Sequence, residues 1–227
     1  MIESRERQRR KRGSLSAEEI VDAALRILDD QGEDSLTFAR LGTTLGSAPT
    51  AVYRHFASRD DLLNALGDRL DAISLAGYAP TDEWRTDLED LAWRAWRVAI
   101  AHPAASALAM SRITNGVNEL RAVDAILRAL ERAGIRGREA VLQYQVYANI
   151  VVGSAAGHGA RLSGRGEPRT PEGWVQAYTP TDPTLYPYAE ALKSELRLID
   201  YETVFAKHIE MYLDALAVLA DRADAAD

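Results

Sequence analysis

The chain has 227 residues, 47% of them apolar and 27% charged, with a net charge of −7 and no cysteine. That length suffices for a sizeable core in one compact unit or two small domains, and the lack of cysteine excludes disulfides, thiolate nucleophiles and Cys-ligated zinc or iron–sulfur centres. No apolar run approaches the roughly 20 residues that span a bilayer, and the basic, polar start lacks a secretion signal's apolar core, so the expected location is the cytoplasm, with no membrane partner.

Residues 1–13 form a basic arm in which Arg5, Arg7, Arg9, Arg10, Lys11 and Arg12 face only Glu3 and Glu6. Taken alone this is a solvated, disordered tail; beside a DNA-reading element the same charges add phosphate contacts or enter a minor groove. A first helix is predicted to open at Ser16-Ala17-Glu18-Glu19, a capping-box pattern, and to carry Ile20, Val21, Ala24, Leu25 and Leu28 on one face until Gly32 stops it. Two short helices follow, about Phe38 to Leu45 and Pro49 to His55. Thr37 suits the first cap, Gly46 the left-handed exit, and Pro49 a first helical position. Leu36, Leu41, Leu45, Val52 and Phe56 are predicted to point inward. Thr50, Ala51, Tyr53, Arg54 and His55 then fall on or near the outer face of the second short helix, a mixture suited to base edges and phosphates in a major groove.

After Ser58 a fourth helix is predicted through Leu62, Leu63, Leu66, Leu70 and Ile73 to about Ala76, and Gly77 to Pro80 breaks the chain. Thr81 is read as the cap of a long helix bearing Trp84, Leu88, Leu91, Ala92, Ala95, Val98 and Ala99, ended by His102-Pro103. A short helix to Met110, a turn at Asn115-Gly116, a helix to Ala133 and a wide apolar helix from Arg138 to Leu162 come next. Residues 163–184 read as a long loop. A short helix over Tyr186 to Leu196 and a last one, capped by Asp200 and carrying Val204, Phe205, Ile209, Tyr212, Leu213, Leu216 and Leu219, complete an all-α chain. The expected division is a basic arm at 1–13, a three-helix helix-turn-helix head at 14–60, and a helical regulatory and dimerisation bundle at 61–227.

From Ala17 to about Leu66, the runs IVDAALRILDDQG and SLTFARLGTTLG, the Tyr53-Arg54-His55-Phe56 ending and Ser-Arg-Asp-Asp-Leu-Leu resemble the TetR/AcrR family of helix-turn-helix transcriptional regulators. Position by position, the resemblance implies phosphate contacts from Thr37, Tyr53, His55 and Arg59, and places Arg40, Pro49, Thr50, Ala51 and Arg54 toward bases. Three residues depart from the family pattern: Ala48 where a Ser or Thr cap is usual, Gly42 in place of Ala, and Arg59 in place of Lys.

The resemblance further implies a homodimer joined through helices near 138–162 and 201–220, a near-palindromic DNA operator, and a small-molecule effector in the bundle that releases the DNA, the function of a repressor. Lining candidates are Trp93, Trp96, His102, Met110, Arg112, Gln143, Tyr147, Asn149 and His158. Each has a plainer reading: the tryptophans as core aromatics, His102 as a helix-terminal residue placed favourably by the dipole, and Asn149 and His158 as buried polar groups satisfied by the protein. A regulator without an effector, acting as activator or constitutive repressor, is the alternative. The four histidines at 55, 102, 158 and 208 fit no zinc-hydrolase pattern, and no phosphate loop or nucleophile motif appears, so no enzyme activity, metal or cofactor is expected.

Overall fold

In a computed structural model, residues 15–163, 182, 184–198 and 200–224 are described. The basic arm, most of the 163–184 loop and the aromatic residues Trp174 and Tyr178 within it lie outside that set. The described residues form eleven helices and one 3-10 turn, with no strand.

The head comprises α1 (Ala17–Gln31), the 3-10 turn Glu33–Ser35, α2 (Phe38–Thr44) and α3 (Pro49–Tyr53). The capping box of α1 is present: the Glu19 amide donates to Ser16 Oγ at 3.1 Å and the Ser16 amide to the Glu19 carboxylate at 2.9 Å. Gly32, at φ +75°, turns the chain where a Cβ would be strained. α3 is two residues shorter than predicted, so Arg54 and His55 lie in the turn that closes it. Leu36, Leu41, Val52 and Phe56 are buried as expected, whereas Leu45 is only half-buried at the C-cap of α2.

α4 (Arg59–Ser74) joins head to bundle, and Leu62, Leu63, Leu66 and Leu70 of this helix belong to the same apolar cluster as α1. The head's core therefore runs past residue 60 and on into Val98, Ala104, Ala105 and Ala109 of the bundle.

The bundle contains α5 (Trp84–Ala101), α6 (Pro103–Ala109), α7 (Val117–Arg132), α8 (Gly137–Leu162), α9 (Pro187–Ala191), α10 (Lys193–Leu198) and α11 (Tyr201–Asp224). α5 begins at Trp84 with Glu83 at its N-cap, two residues later than the predicted cap at Thr81. The reason is Asp87, which accepts from the Thr81 amide at 2.8 Å and the Thr81 hydroxyl at 2.9 Å and so holds Thr81 outside the helix. Asp87 is also 2.9 Å from the Arg132 guanidinium, tying the start of α5 to the end of α7. The helix expected over 186–196 breaks at Leu192 into α9 and α10. Leu88, Leu91, Trp96, Leu130, Tyr147, Val151, Phe205, Leu213 and Leu216 form the bundle's core, and the Tyr147 hydroxyl, fully enclosed, donates to the Leu88 carbonyl at 2.5 Å.

α4 is clamped to the bundle by polar contacts. Asp68 accepts from the amides of Asn118 and Glu119 at 2.8 and 3.0 Å and from the Asn118 side chain at 2.8 Å. It thereby serves as the N-terminal cap of α7, whose own capping position is Gly116 and has no side chain to offer. A Cβ on Gly116 would overlap the Asp68 carboxylate.

Candidate nucleic-acid interface and effector cavity

Sequence places a cap, a tight turn and a proline-initiated helix within thirteen residues, and the result is a close crossing of α2 and α3. A Cβ on Gly42 would sit 2.9 Å from the Ser47 carbonyl oxygen and 3.0 Å from the Pro49 nitrogen, so the two short helices approach through that glycine. This accounts for the departure from alanine at position 42. Ala48 adopts an N-cap conformation with no side-chain hydrogen bond, as its methyl requires, and Pro49 fills the first turn of α3.

The side chains of Thr37, Arg40, Pro49, Thr50, Tyr53, Arg54, His55 and Arg59 are exposed, and Ala51 is half-buried. Val52 and Phe56 are turned into the core, which fixes the opposite face of α3 outward. Tyr53 is 58% exposed, and its ring leans on Phe38 with centroids 4.6 Å apart, so the hydroxyl is presented from a ring already held in place. Thr37 Oγ accepts the Arg40 amide at 3.1 Å and keeps its own hydrogen for an external acceptor. Arg40 donates to Gln31 at 2.8 Å and Arg59 pairs with Glu33 at 3.0 Å, both on the rim of the head. The arrangement is one short helix with hydroxyls on its open face and with cations in the turn that closes it and on the flanking helices, backed by the buried core of the head.

The second feature is a cavity of about 520 Å³ bounded by α4, α5, the 110–115 connection, α7 and α8. Of the nine sequence candidates, Met110, Arg112, Tyr147 and Asn149 line it. The other five lie elsewhere. Trp96 is buried and stacks between His158 and Phe205, with centroids 4.7 and 4.5 Å away, and Trp93 meets Phe205 edge-on at 5.2 Å. Large aromatics on α5 face α11 and act as core. His102 pairs with Asp29 at 2.9 Å, joining bundle to head, and the Gln143 side chain donates to Glu139 at 2.8 Å along its own helix. Burial lowers the His158 pKa, with Arg161 adding to the effect, so the ring is favoured neutral.

The polar lining residues that the sequence reading missed include Asp71, Glu119 and Tyr144. Burial pushes the Asp71 pKa up to about 7, with the charges of Glu119 and Asp68 adding to it. Burial also raises the Tyr144 hydroxyl, with smaller contributions from Glu119 and Asp71. Helical spacing offered a weak signal for Asp71 alone, since it lies between Leu70 and Ile73 at the edge of α4's apolar stripe.

A three-helix head with an exposed recognition helix, carried by α4 into a helical bundle, defines a helix-turn-helix DNA-binding protein. Residues 20–66 match the family described as bacterial regulatory proteins, tetR family, and residues 76–219 match the tetracyclin repressor-like C-terminal domain. The chain belongs to the TetR family of bacterial transcriptional regulators.

A helix-turn-helix transcriptional regulator of Saccharopolyspora erythraea is 30% identical over 154 residues, spanning 66% of this chain and 64% of that protein. The class A tetracycline repressor from transposon 1721 of Escherichia coli is 30% identical over 155 residues, spanning 67% of this chain and 71% of the relative. The chain thus covers less than two thirds of the Saccharopolyspora relative, and 33% of a similar Mycobacterium bovis regulator. Among solved structures, apo ActR of Streptomyces coelicolor superposes with a TM-score of 0.77 at 21% identity, covering 93% of this chain and 99% of that one. ActR has also been solved in complex with actinorhodin. BioQ bound to its double-stranded DNA operator gives a TM-score of 0.63 at 22% identity, covering 89% and 98%.

Proposed function

We propose that the chain is a cytoplasmic repressor that binds a near-palindromic operator as a homodimer and is released when a small molecule enters the cavity. The observation that carries this reading is the double role of α4. Its Leu62, Leu63 and Leu66 lie in the head's core, while Asp71 and Leu75 at its far end wall the cavity. A molecule that binds more tightly when that wall is displaced favours a different placement of the head, and differential affinity of this kind is what shifts such an equilibrium. The reading is further supported by the related tetracycline repressors and by the ligand-bound ActR structure.

The homodimer is supported by apolar surface left open on the two longest helices: Val141, Leu142 and Val146 on α8, Met211 and Val218 on α11. Two copies joined through these helices would present two heads, which places DNA half-sites about one helical turn apart or a multiple of it. Thr37, Tyr53, His55 and Arg59 then serve as phosphate contacts, and Arg40, Pro49, Thr50, Ala51 and Arg54 as the base-facing set. No catalytic role is assigned to any side chain.

The test is operator release. The DNA duplex enriched from a random pool by the full chain is bound, and small molecules that raise its melting temperature are titrated into the complex while fluorescence anisotropy is read. Release by a compound that also binds the free protein is expected. If compounds occupy the cavity and DNA affinity never changes, the effector half of the proposal fails and a regulator without an effector remains.

A further inference from the structure

The chemistry of the cavity wall goes beyond its existence. Most of the lining is apolar, including Leu91, Ala95, Val123 and Ile126. On one side stands Asp71, a half-buried residue whose carboxylate makes no hydrogen bond or ion pair among the described residues. Glu119 is close enough to act on it and is oriented by a fixed frame: one carboxylate oxygen accepts from the Thr114 amide, the Thr114 hydroxyl and the Asn115 amide at 2.7, 2.7 and 2.6 Å. Its second oxygen receives no hydrogen bond among the described residues.

The single cation on the wall does not answer these carboxylates. Arg112 is committed to Asn64 at 2.8 Å and Asp60 at 2.9 Å, on the side of α4 toward the head. The groups facing Asp71 are thus Glu119 from α7, Asp68 from α4 itself, the Tyr144 phenol from α8 and Arg112 from the 110–115 connection, while α5 contributes only apolar side chains. An acid placed this way has an unmet demand for positive charge. An anionic ligand would add a like charge, and a neutral one could meet Asp71 only in its protonated form, whereas a cation pairs with the ionised carboxylate.

We infer that the effector cavity takes an amphiphilic cation, a molecule with a flat or branched apolar body and a basic amine, the amine seated between Asp71 and Glu119. This rests on the cavity being the effector site. A cation there favours the ionised form of Asp71, so binding releases up to one proton near neutrality. Affinity therefore rises with pH as Asp71 ionises, and levels off above it. Tyr144 supplies an aromatic face alongside the charge.

The test uses three probes with one naphthylbutyl body ending in an amine, an alcohol or a carboxylate, titrated calorimetrically into the full chain in buffers of different ionisation enthalpy. The amine is expected to bind about tenfold or more tightly than the alcohol, with the carboxylate weakest, and only the amine should release protons. Asp71→Asn should remove the amine's advantage and its proton release while the alcohol binds as before. The pH titration of the unaltered protein gives the same answer without a variant. Equal affinity for the three probes, or preference for the carboxylate, overturns the inference and leaves the cavity as an effector site. Absence of binding by all three, or binding unaffected by Val123→Trp, which fills the cavity, overturns the effector site itself.

Discussion

Replacing Asp68 by alanine removes the side chain that caps the first-turn amides of α7 among the described residues and tests whether α4 is fastened to the bundle as described. The carboxylate receives three hydrogen bonds, two from the first-turn amides of α7, and is itself partly buried. Loss of an N-cap side chain costs about 1 kcal/mol, and the further hydrogen bond that the charged carboxylate accepts from the Asn118 side chain adds roughly 1.5–3 kcal/mol. A destabilisation of about 3 kcal/mol follows. For a chain of this length it corresponds to a fall in melting temperature of about 6–12 °C, measured by circular dichroism at fixed protein concentration. Gly116→Ser in the Asp68→Ala background should recover about 1 kcal/mol, because a serine then caps α7 from its own N-cap position without meeting the carboxylate. In the unaltered protein the same serine should destabilise, since its Cβ would overlap Asp68. A fall of less than about 2 °C for Asp68→Ala, or no recovery by the second change, would refute the trans-capping argument.

Four other outcomes are expected. Arg54→Ala should weaken DNA binding and relax preference at one base step, whereas Arg59→Ala should weaken binding to all sequences and lower the salt slope by about one, both read by anisotropy across a salt series. Asp87→Ala breaks a buried ion pair and two hydrogen bonds, and should cost about 3–5 kcal/mol in urea unfolding. Asp71, with its folded pKa raised to about 7, binds a proton more tightly folded than unfolded. Its contribution is therefore fully present below the ordinary carboxylate value and lost as pH rises toward about 7, so Asp71→Asn should flatten that pH dependence and stabilise the protein at pH 8 by up to about 4 kcal/mol. Val146→Glu combined with Met211→Glu should yield a monomer by light scattering while leaving the helical spectrum intact.

The head was legible because its signals are local. Ser16 with Glu19, Thr37, Gly46 and Pro49 each set a helix end through neighbours within a few residues, and the alternation of Val52 and Phe56 with exposed Tyr53, Arg54 and His55 fixed the outward face. The start of α5 was misread because Thr81 looks like a cap until Asp87, six residues on, captures it. The cavity was half legible for a related reason. Tyr147, Asn149, Met110 and Arg112 lie on segments whose inward side the apolar pattern reveals, but Trp93, Trp96 and His158 serve the α5–α8–α11 core, an allocation decided by which helices meet. Asp71 and Glu119 share a wall only because Asp68 docks α7 against α4, and no spacing within either helix encodes that contact.

The central claim, that two outward recognition helices read DNA together, is tested most directly by selecting DNA from a random pool with the full chain and sequencing what is retained. The account predicts an enriched sequence with two-fold symmetry and half-sites about one helical turn apart or a multiple of it, no longer enriched when Tyr53, Arg54 and His55 are all replaced by alanine. Enrichment of an unsymmetrical sequence, or one that survives the triple replacement, would contradict it.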